Sequence, residues 1–138
     1  MSAQTEVVLK AHEALNAGDI DAVVALCDSA VRLDMSERVL NPAVYDGPEG
    51  IRRFYAEVLE IWESFTWEPT RLHEVGRFVL VDVHSRGKGR GSGLELDRDA
   101  ALLWHVEDGK VLSIVFYRDS ARGHAAAESS ARGEQLGS

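Results

Sequence analysis

The spacing of apolar residues changes from helical to strand-like about halfway along this chain of 138 residues. In the first half the apolar positions recur every three or four residues, as they do on one face of a helix. In the second half they alternate with polar residues, as they do in half-buried strands. Helices followed by a strand meander predict one α+β domain. We expect a cone-shaped α+β barrel in which three N-terminal helices pack against a curved, mainly antiparallel sheet.

Three helices are predicted in the first half of the chain. Gly18 is predicted to end the first helix, over residues 5–17, because glycine reaches left-handed backbone angles without strain. Asp19 is expected to accept backbone N–H groups as the N-cap of the second helix. The third helix opens at Gly47-Pro48, since a proline in the first turn needs no N–H partner.

Five strands are predicted, at residues 30–35, 65–75, 77–86, 94–106 and 110–118. A polar loop over residues 36–46 follows the first of them. Pro69 has no N–H to donate and therefore indicates an edge strand or a β-bulge. Asp108-Gly109, between the last two strands, is typical of a type I′ hairpin turn. Residues 126–138 are predicted to form a flexible tail.

The composition excludes several classes of function. Fifteen Lys and Arg against 23 Asp and Glu give a net charge of −8, which disfavours nucleic acids and anionic membranes as partners. The single cysteine, Cys27, excludes an internal disulfide and a cysteine-built zinc site. No apolar run approaches the roughly 18–20 residues of a membrane span, and no signal peptide is evident. We expect one cytoplasmic domain over residues 1–138, with its core at about 5–125.

Several short motifs, in this order, resemble the nuclear transport factor 2-like superfamily. Within it the chain is similar to the SnoaL-like branch, which includes ketosteroid isomerases and polyketide cyclases. The motifs that carry the resemblance lie at residues 17–22, 47–55, 89–93, 108–111 and 116–119. The resemblance implies a cone with a pocket for a small hydrophobic molecule, and a homodimer. It does not give the reaction, because the same fold hosts many activities.

The resemblance places a general base at Asp34, near the end of the first predicted strand. A carboxylate inside an apolar cone is desolvated, so that its pKa rises and it can take a proton from a carbon next to a carbonyl. The alternative is that Asp34, which alternates with Leu33, faces solvent or caps the following loop. Tyr55 matches a tyrosine of the family's pocket network; the alternative is a core aromatic residue.

The chain departs from the ketosteroid isomerases at two positions. Those enzymes stabilise an enolate with a tyrosine and a protonated aspartic acid. The corresponding positions here are Ala11 and a residue at or near Ala101, and alanine donates no side-chain hydrogen bond. A true ketosteroid isomerase is therefore not expected. Asp99 replaces the missing acid only if the alignment shifts by two residues.

Asp82, His84 and Arg86 alternate along one face of the second long strand. If that face lines the cone, they supply a carboxylate, a titratable base and an anion-binding group, which suits acid–base chemistry. The alternative is that Val81 and its neighbours form the core side and the charged residues face water or a partner chain. The sequence leaves both readings open.

Large aromatic residues are expected near the cone, where they suit a flat ligand, although the same residues also suit a core or an interface. They are Trp62, Trp67, Trp104, Phe116 and Tyr117. His12, His73 and His124 are predicted to lie on the surface, and no pair of histidines has the spacing of metal ligands. The glycine-rich run at 87–93 lacks the features of a phosphate loop. No metal or cofactor is expected.

The sequence is compatible with two functions. The first is a cofactor-independent acid–base enzyme, of isomerase, cyclase or hydrolase type, with Asp34 and His84 as catalytic residues. Its pocket would include Tyr55, Trp62, Asp82, Arg86, Asp99 and Phe116. The second is a module of the same fold that binds a small molecule or dimerises without catalysis.

Overall fold

The computed structural model describes residues 2–39, 41–91 and 93–136, and within these residues it contains four helices and six strands. In chain order they are α1 (Ala3–Asn16), α2 (Ile20–Ala25), β1 (Cys27–Asp34), β2 (Val44–Asp46), α3 (Gly47–Ile61), β3 (Trp62–Val75), β4 (Phe78–Gly89), β5 (Glu95–Glu107), β6 (Lys110–Tyr117) and α4 (Ser120–Leu136).

The six strands form one curved sheet in the order β2-β1-β6-β5-β4-β3. β1 and β6 run parallel, and every other neighbouring pair is antiparallel. The face that packs against α1 and α3 is called the inner face, and the opposite face, which carries α4, the outer face. The sheet does not close on itself. The predicted α+β cone is therefore confirmed.

The predicted ends of the first helices are confirmed. Asp19 accepts a hydrogen bond from the backbone N–H of Ala22 at 3.1 Å, which satisfies one free donor at the start of α2. Gly18 has a φ of +77°, an angle that residues with a Cβ rarely adopt. Pro48 lies in the first turn of α3, as predicted.

The strand signals also correspond to observed geometry. Asp108 and Gly109 have φ values of +52° and +76°, as both central residues of a type I′ turn require. β3 is an edge strand, and its pairing with β4 shifts by one residue between Pro69 and Arg71. Both expectations for Pro69 are therefore confirmed. One strand was not predicted: β2 lies within the predicted loop at 36–46 and pairs with β1.

The structure has a helix where the sequence predicts a tail from residue 126 onward. α4 begins at Ser120 and packs on the outer face of the sheet. Its alanines and glycines give no apolar stripe, but they allow a close approach to the sheet: Ala127 is 2% exposed. Residues 137 and 138 of the predicted tail lie outside the described residues. Within the described part of the chain, no helix combines the length and apolar character needed to cross a membrane.

Candidate functional site

A small apolar cavity lies between the helices and the inner face of the sheet. Its volume is about 20 Å³, and the residues that line it are Ala11, Leu15, Ile20, Val23, Leu33, Ile51, Phe54, Trp67, Trp104 and Ile114. A single water needs roughly 10–15 Å³ by the same measure, whereas ligand pockets occupy roughly 300–1,000 Å³. Between the helices and the inner face, the described residues therefore do not enclose the ligand-sized pocket that the resemblance implies.

Stacked aromatic rings occupy the space where that pocket is expected. The Trp67 ring is nearly parallel to those of Phe54 and Phe116, with centroids 5.8 Å and 6.2 Å apart. Phe65 meets Trp67 edge-on at 5.2 Å. These four residues are called the aromatic cluster. Three of the four are phenylalanines, whose rings carry no hydrogen-bonding group, so the cluster fills this part of the cone with largely apolar side chains.

One ionisable side chain, His12, lies deep in the interior beside this cavity. It is 1% exposed, and its ring packs 5.1 Å from that of Trp104, which lines the cavity. Burial lowers the pKa of His12 to about 4, although a contact between Nδ1 and the carbonyl oxygen of Trp67 raises it slightly. His12 is therefore neutral at pH 7. The prediction that it lies on the surface is wrong.

The spacing in α1 contains the signal that places His12 inside. Val8, Ala11, His12 and Leu15 fall at relative positions 0, 3, 4 and 7, so they share one helical face. Two buried nitrogen atoms on these neighbouring rings, Nε2 of His12 and Nε1 of Trp104, have no hydrogen-bond partner among the residues that the structure describes. Buried polar groups are nearly always paired, and an unpaired one calls for an explanation such as a bound molecule or a catalytic role.

Asp34 lies at the end of β1 and does not line the cavity. Its carboxylate accepts a hydrogen bond from the backbone N–H of Ser36 at 2.9 Å. In the parallel pairing with β6 it sits beside Val115, which belongs to the outer-face cluster. Leu33, one residue earlier, points to the cavity instead. The structure thus gives Asp34 the position of a loop cap; its catalytic role stays a prediction.

Tyr55 lies on α3 and Trp62 at the junction of α3 and β3, and both are outside the cavity lining. The hydroxyl of Tyr55 approaches the corner between α1 and α2 so closely that a Cβ on Gly18 would lie 3.0 Å from it. Trp62 begins β3 and packs over Gly87 of the neighbouring strand. The third predicted aromatic residue, Phe116, belongs to the aromatic cluster.

Asp82, His84 and Arg86 lie on the outer face of the sheet. Val81 and Val83, which alternate with them, are at most 1% exposed and belong to the inner core. The three polar residues therefore do not share the interior with the cavity. This settles the orientation of the strand that the sequence left open.

His84 is held between two carboxylates on the neighbouring strand. Its Nδ1 lies 2.8 Å from Oδ1 of Asp99, and its Nε2 forms an ion pair with Asp97. These contacts, chiefly the hydrogen bond with Asp99, raise the pKa of His84 above its usual range. Arg86 is exposed and pairs in register with Asp97. His84, Asp97 and Asp99 thus form a charge cluster on the outer face, with Arg86 next to it.

The two positions that the resemblance assigns to oxyanion donors do not share one space. Ala11 lines the cavity, as expected. Ala101 lies on the outer face, and its Cβ would be only 2.6 Å from a Cβ added at Gly123 of α4. On β5 the residue that reaches the cavity is Trp104, three positions further along.

The outer face brings together two histidines that are distant in the sequence. His73 and His124 lie beside Asp82, close enough for one potential ligand atom from each residue to lie within 4.8 Å of the others. The sequence feature that indicates this cluster is Pro69, at which β3 has a bulge. Because an extra residue reverses the alternation, the bulge turns His73 to the face opposite Trp67.

Comparison with known proteins gives a family match and several structural neighbours. The model of the SnoaL-like domain matches residues 8–114. TerC co-crystallised with polyporic acid is 21% identical, with a TM-score of 0.76 over 92% of this chain and 99% of that one. An NTF2-like protein of unknown function from Burkholderia pseudomallei K96243 is also 21% identical, with a TM-score of 0.76 over 88% and 95% of the two chains.

A proposed polyketide cyclase from Xanthomonas campestris pv. campestris is 17% identical, with a TM-score of 0.75 over 91% of this chain and 96% of its own. Identities of this size show a common fold and no more. Among curated proteins, none matches the chain by sequence.

Proposed function

This chain belongs to the SnoaL-like domain family, and we propose that it binds one small, mainly apolar molecule that carries a single hydrogen-bonding group. The observation that carries the proposal is the pair of unpartnered nitrogens, on His12 and Trp104, beside an otherwise apolar cavity. Small-molecule sites are typically apolar, with a few polar groups that fix the ligand's orientation. A cytoplasmic location and a small hydrophobic partner are part of this proposal.

The proposed ligand must displace side chains, because the cavity holds about one water molecule. Asn16 fixes the backbone of Trp67, donating to its carbonyl and accepting from its N–H, each at 2.9 Å. The strand is therefore held in place, and room must come from rotation of rings in the aromatic cluster. A flat ligand can then stack where one of these rings lay.

A matched pair of ligands tests the polar part of the proposal. Toluene and phenol have similar shapes, and only phenol carries a hydroxyl group. We expect phenol to raise the melting temperature more than toluene, because it can pair with the nitrogens of His12 and Trp104. At ten times its Kd a ligand stabilises the folded state by about 1.4 kcal/mol, or about 5 °C for a domain of this size.

Three variants locate the effect in the cavity. In His12→Phe, which keeps a ring and removes both imidazole nitrogens, phenol should lose part of its advantage over toluene, because only the Trp104 nitrogen remains to pair with it. Ala11→Val fills part of the cavity and should weaken both ligands, whereas Ala14→Val, on the same helix but off the cavity wall, should leave them unchanged. Equal responses in wild type and Ala11→Val, or no response to either ligand, would refute the proposal.

A second candidate function is a cofactor-independent acid–base enzyme of isomerase, cyclase or hydrolase type. The observation that favours it is the buried Nε2 of His12, which has no hydrogen-bond partner among the described residues and could take a proton from a substrate in the cavity. Because burial lowers the pKa of His12 to about 4, the residue would act as a weak base. Asp34 and His84, the bases predicted from sequence, lie away from the cavity. In this version of the enzyme hypothesis His12 takes the role of the base.

Turnover of enolisable ketones, polyketide-like substrates and epoxides tests the enzyme hypothesis. We expect His12→Gln to abolish any activity, because glutamine forms hydrogen bonds but does not titrate. Asp34→Asn should leave that activity intact. The opposite result, with loss only in Asp34→Asn, would return the catalytic role to the residue that the resemblance implies. Binding without turnover would refute the enzyme hypothesis and support only the binding proposal.

A further inference from the structure

Three potential metal ligands from three different elements converge on the outer face of the sheet. His73 comes from β3, Asp82 from β4 and His124 from α4. Nε2 of His124 lies 3.3 Å from Oδ2 of Asp82, and Nε2 of His73 lies 3.9 Å from the same oxygen. The two imidazole rings meet edge to face, with their centroids 4.8 Å apart. All three side chains therefore border one small volume.

Local features of β3 and α4 create this convergence. Beyond the bulge, Arg71 pairs with Asp82 and His73 pairs with Leu80, so that His73 and Asp82 are diagonal neighbours on the outer face. Gly123, the residue before His124, lets α4 approach the sheet, because a Cβ there would meet Ala101 at 2.6 Å. Ser120, in the first turn of α4, reaches the same carboxylate.

The cluster holds one internal hydrogen bond, between Nε2 of His124 and Oδ2 of Asp82, and a cation would take the place of its proton. Ser120 Oγ donates to Oδ1 of Asp82 at 2.8 Å, which orients the carboxylate and leaves Oδ2 facing the two imidazoles. Nε2 of His73 is inaccessible to solvent and has no hydrogen-bond partner within the described part of the chain. Its 3.9 Å separation from Oδ2 is too long for a hydrogen bond. A buried nitrogen without a partner is explained if it binds a cation.

We propose that His73, Asp82 and His124 form a binding site for a divalent transition-metal ion of the class that imidazole prefers, with Zn²⁺ as its representative. Two histidines and one carboxylate are a common ligand set for such ions. In a tetrahedral zinc site the ligand atoms are about 3.3–3.4 Å apart, given zinc–ligand distances of about 2.0–2.1 Å. The His124–Asp82 distance already matches this value. The three ligand atoms spread over as much as 4.8 Å, so the two imidazoles must approach each other by about 1.5 Å to enclose the ion.

Solvent reaches the site from one side. The side chains of His73, Asp82 and His124 are 35%, 15% and 40% exposed. Three protein ligands leave at least one tetrahedral position, which water can fill from that side. Because the ligands come from β3, β4 and α4, the ion would join the last helix to the sheet. Metal binding should therefore make α4 detach from the sheet less often.

Titration of the full chain with ZnCl₂, after chelator treatment and dialysis, tests the proposal. We expect one Zn²⁺ per chain by calorimetry, and a visible absorption band with Co²⁺ as the spectroscopic substitute. Mg²⁺ should not compete, since it prefers oxygen ligands. Zn²⁺ should also slow hydrogen exchange of the α4 amides, a readout that a surface ion elsewhere would not change.

Single-ligand variants identify the site. His73→Asn, Asp82→Asn and His124→Asn should each lower the affinity for Zn²⁺ at least tenfold. His105→Asn is the matched control, because His105 lies on the same outer face beside one carboxylate, Glu107, and should bind Zn²⁺ as the wild type does. Circular dichroism checks the folding of each variant. If His73→Asn, on β3, and His124→Asn, on α4, lower the Zn²⁺ affinity to a similar degree, the loss does not come from a disturbance of α4 alone.

Two results would overturn the proposal. One is the absence of saturable Zn²⁺ binding by the wild-type chain. The other is binding with equal affinity in the wild type, His73→Asn and His124→Asn, which would show that the ion lies elsewhere. Neither result bears on the apolar cavity, since the cluster lies on the opposite face of the sheet.

Discussion

Two histidines, His12 and His84, have pKa values that the fold moves in opposite directions. His12 is buried among apolar side chains, which disfavours its charged form and lowers its pKa to about 4. His84 is paired with Asp99 and Asp97, which favour its charged form and raise its pKa. The two residues therefore give the stability of the protein opposite dependences on pH.

We predict that His12 destabilises the folded protein as the pH falls from about 6.5 to about 4. In this range the unfolded chain binds a proton at His12 that the folded chain does not bind. The free energy of unfolding therefore decreases as the pH is lowered. The effect reaches about 3 kcal/mol at the acidic end. Urea denaturation of wild type and His12→Gln at several pH values should show that the variant lacks this loss.

His84→Asn is the control of opposite sign. A raised pKa in the folded state stabilises the protein fully below pH 6.5, and the stabilisation disappears as the pH rises through the folded pKa. The variant should thus be less stable than wild type at pH 5 to 6 and equal to it in alkaline solution. Parallel pH profiles for both variants would contradict the assignment of His12 as buried and neutral.

At this scale the sequence predicts local roles better than positions inside the fold. The N-cap at Asp19 follows from residue type and neighbours alone, and it is observed. Asp34 differs, because its family position suggests the interior while its alternation with Leu33 permits the outer face. Its placement depends on which face of β1 meets the helices. A shift of the strand register by one residue would move Asp34 to the opposite face.

The elements of the fold show why the C-terminal helix was not predicted. The first three helices carry an apolar face or a clear cap, which the sequence displays directly. α4 is polar in composition, and its docking depends on small residues such as Gly123 and Ala127. Small residues produce no hydrophobic period, so their contribution becomes visible only once the sheet is in place.

Two identical substitutions in α4 test this close approach. Alanine favours helix over glycine by up to about 1 kcal/mol, so Gly133→Ala, which meets no neighbour within 4 Å, should be neutral or stabilising. Gly123→Ala places a Cβ against Ala101 and Leu80, and we expect it to be less stable than Gly133→Ala by about 1–3 kcal/mol. Thermal unfolding measures both. Equal stabilities would show that α4 does not pack as described.

The molecule as a whole separates two environments across one sheet. The inner face is apolar and closed by α1 and α3, with His12 as a buried exception. The outer face has a small apolar cluster under α4 and a charged surface around His84 beside it. The alternating pattern predicts that β4 has one apolar and one polar face. It does not show which face meets α1 and α3 and which meets α4, because these contacts depend on how the whole chain folds.

The homodimer that the resemblance implies remains a proposal, and α4 gives it a test. A dimer through the outer face needs apolar contact area, and α4 covers the cluster formed by Leu80, Ala101 and Leu103. A chain that ends at Asp119 exposes this cluster to water. We therefore expect the truncated chain to associate more strongly than the full chain at equal concentration in sedimentation experiments. A dimeric full chain and a monomeric truncated chain would instead place α4 within the interface.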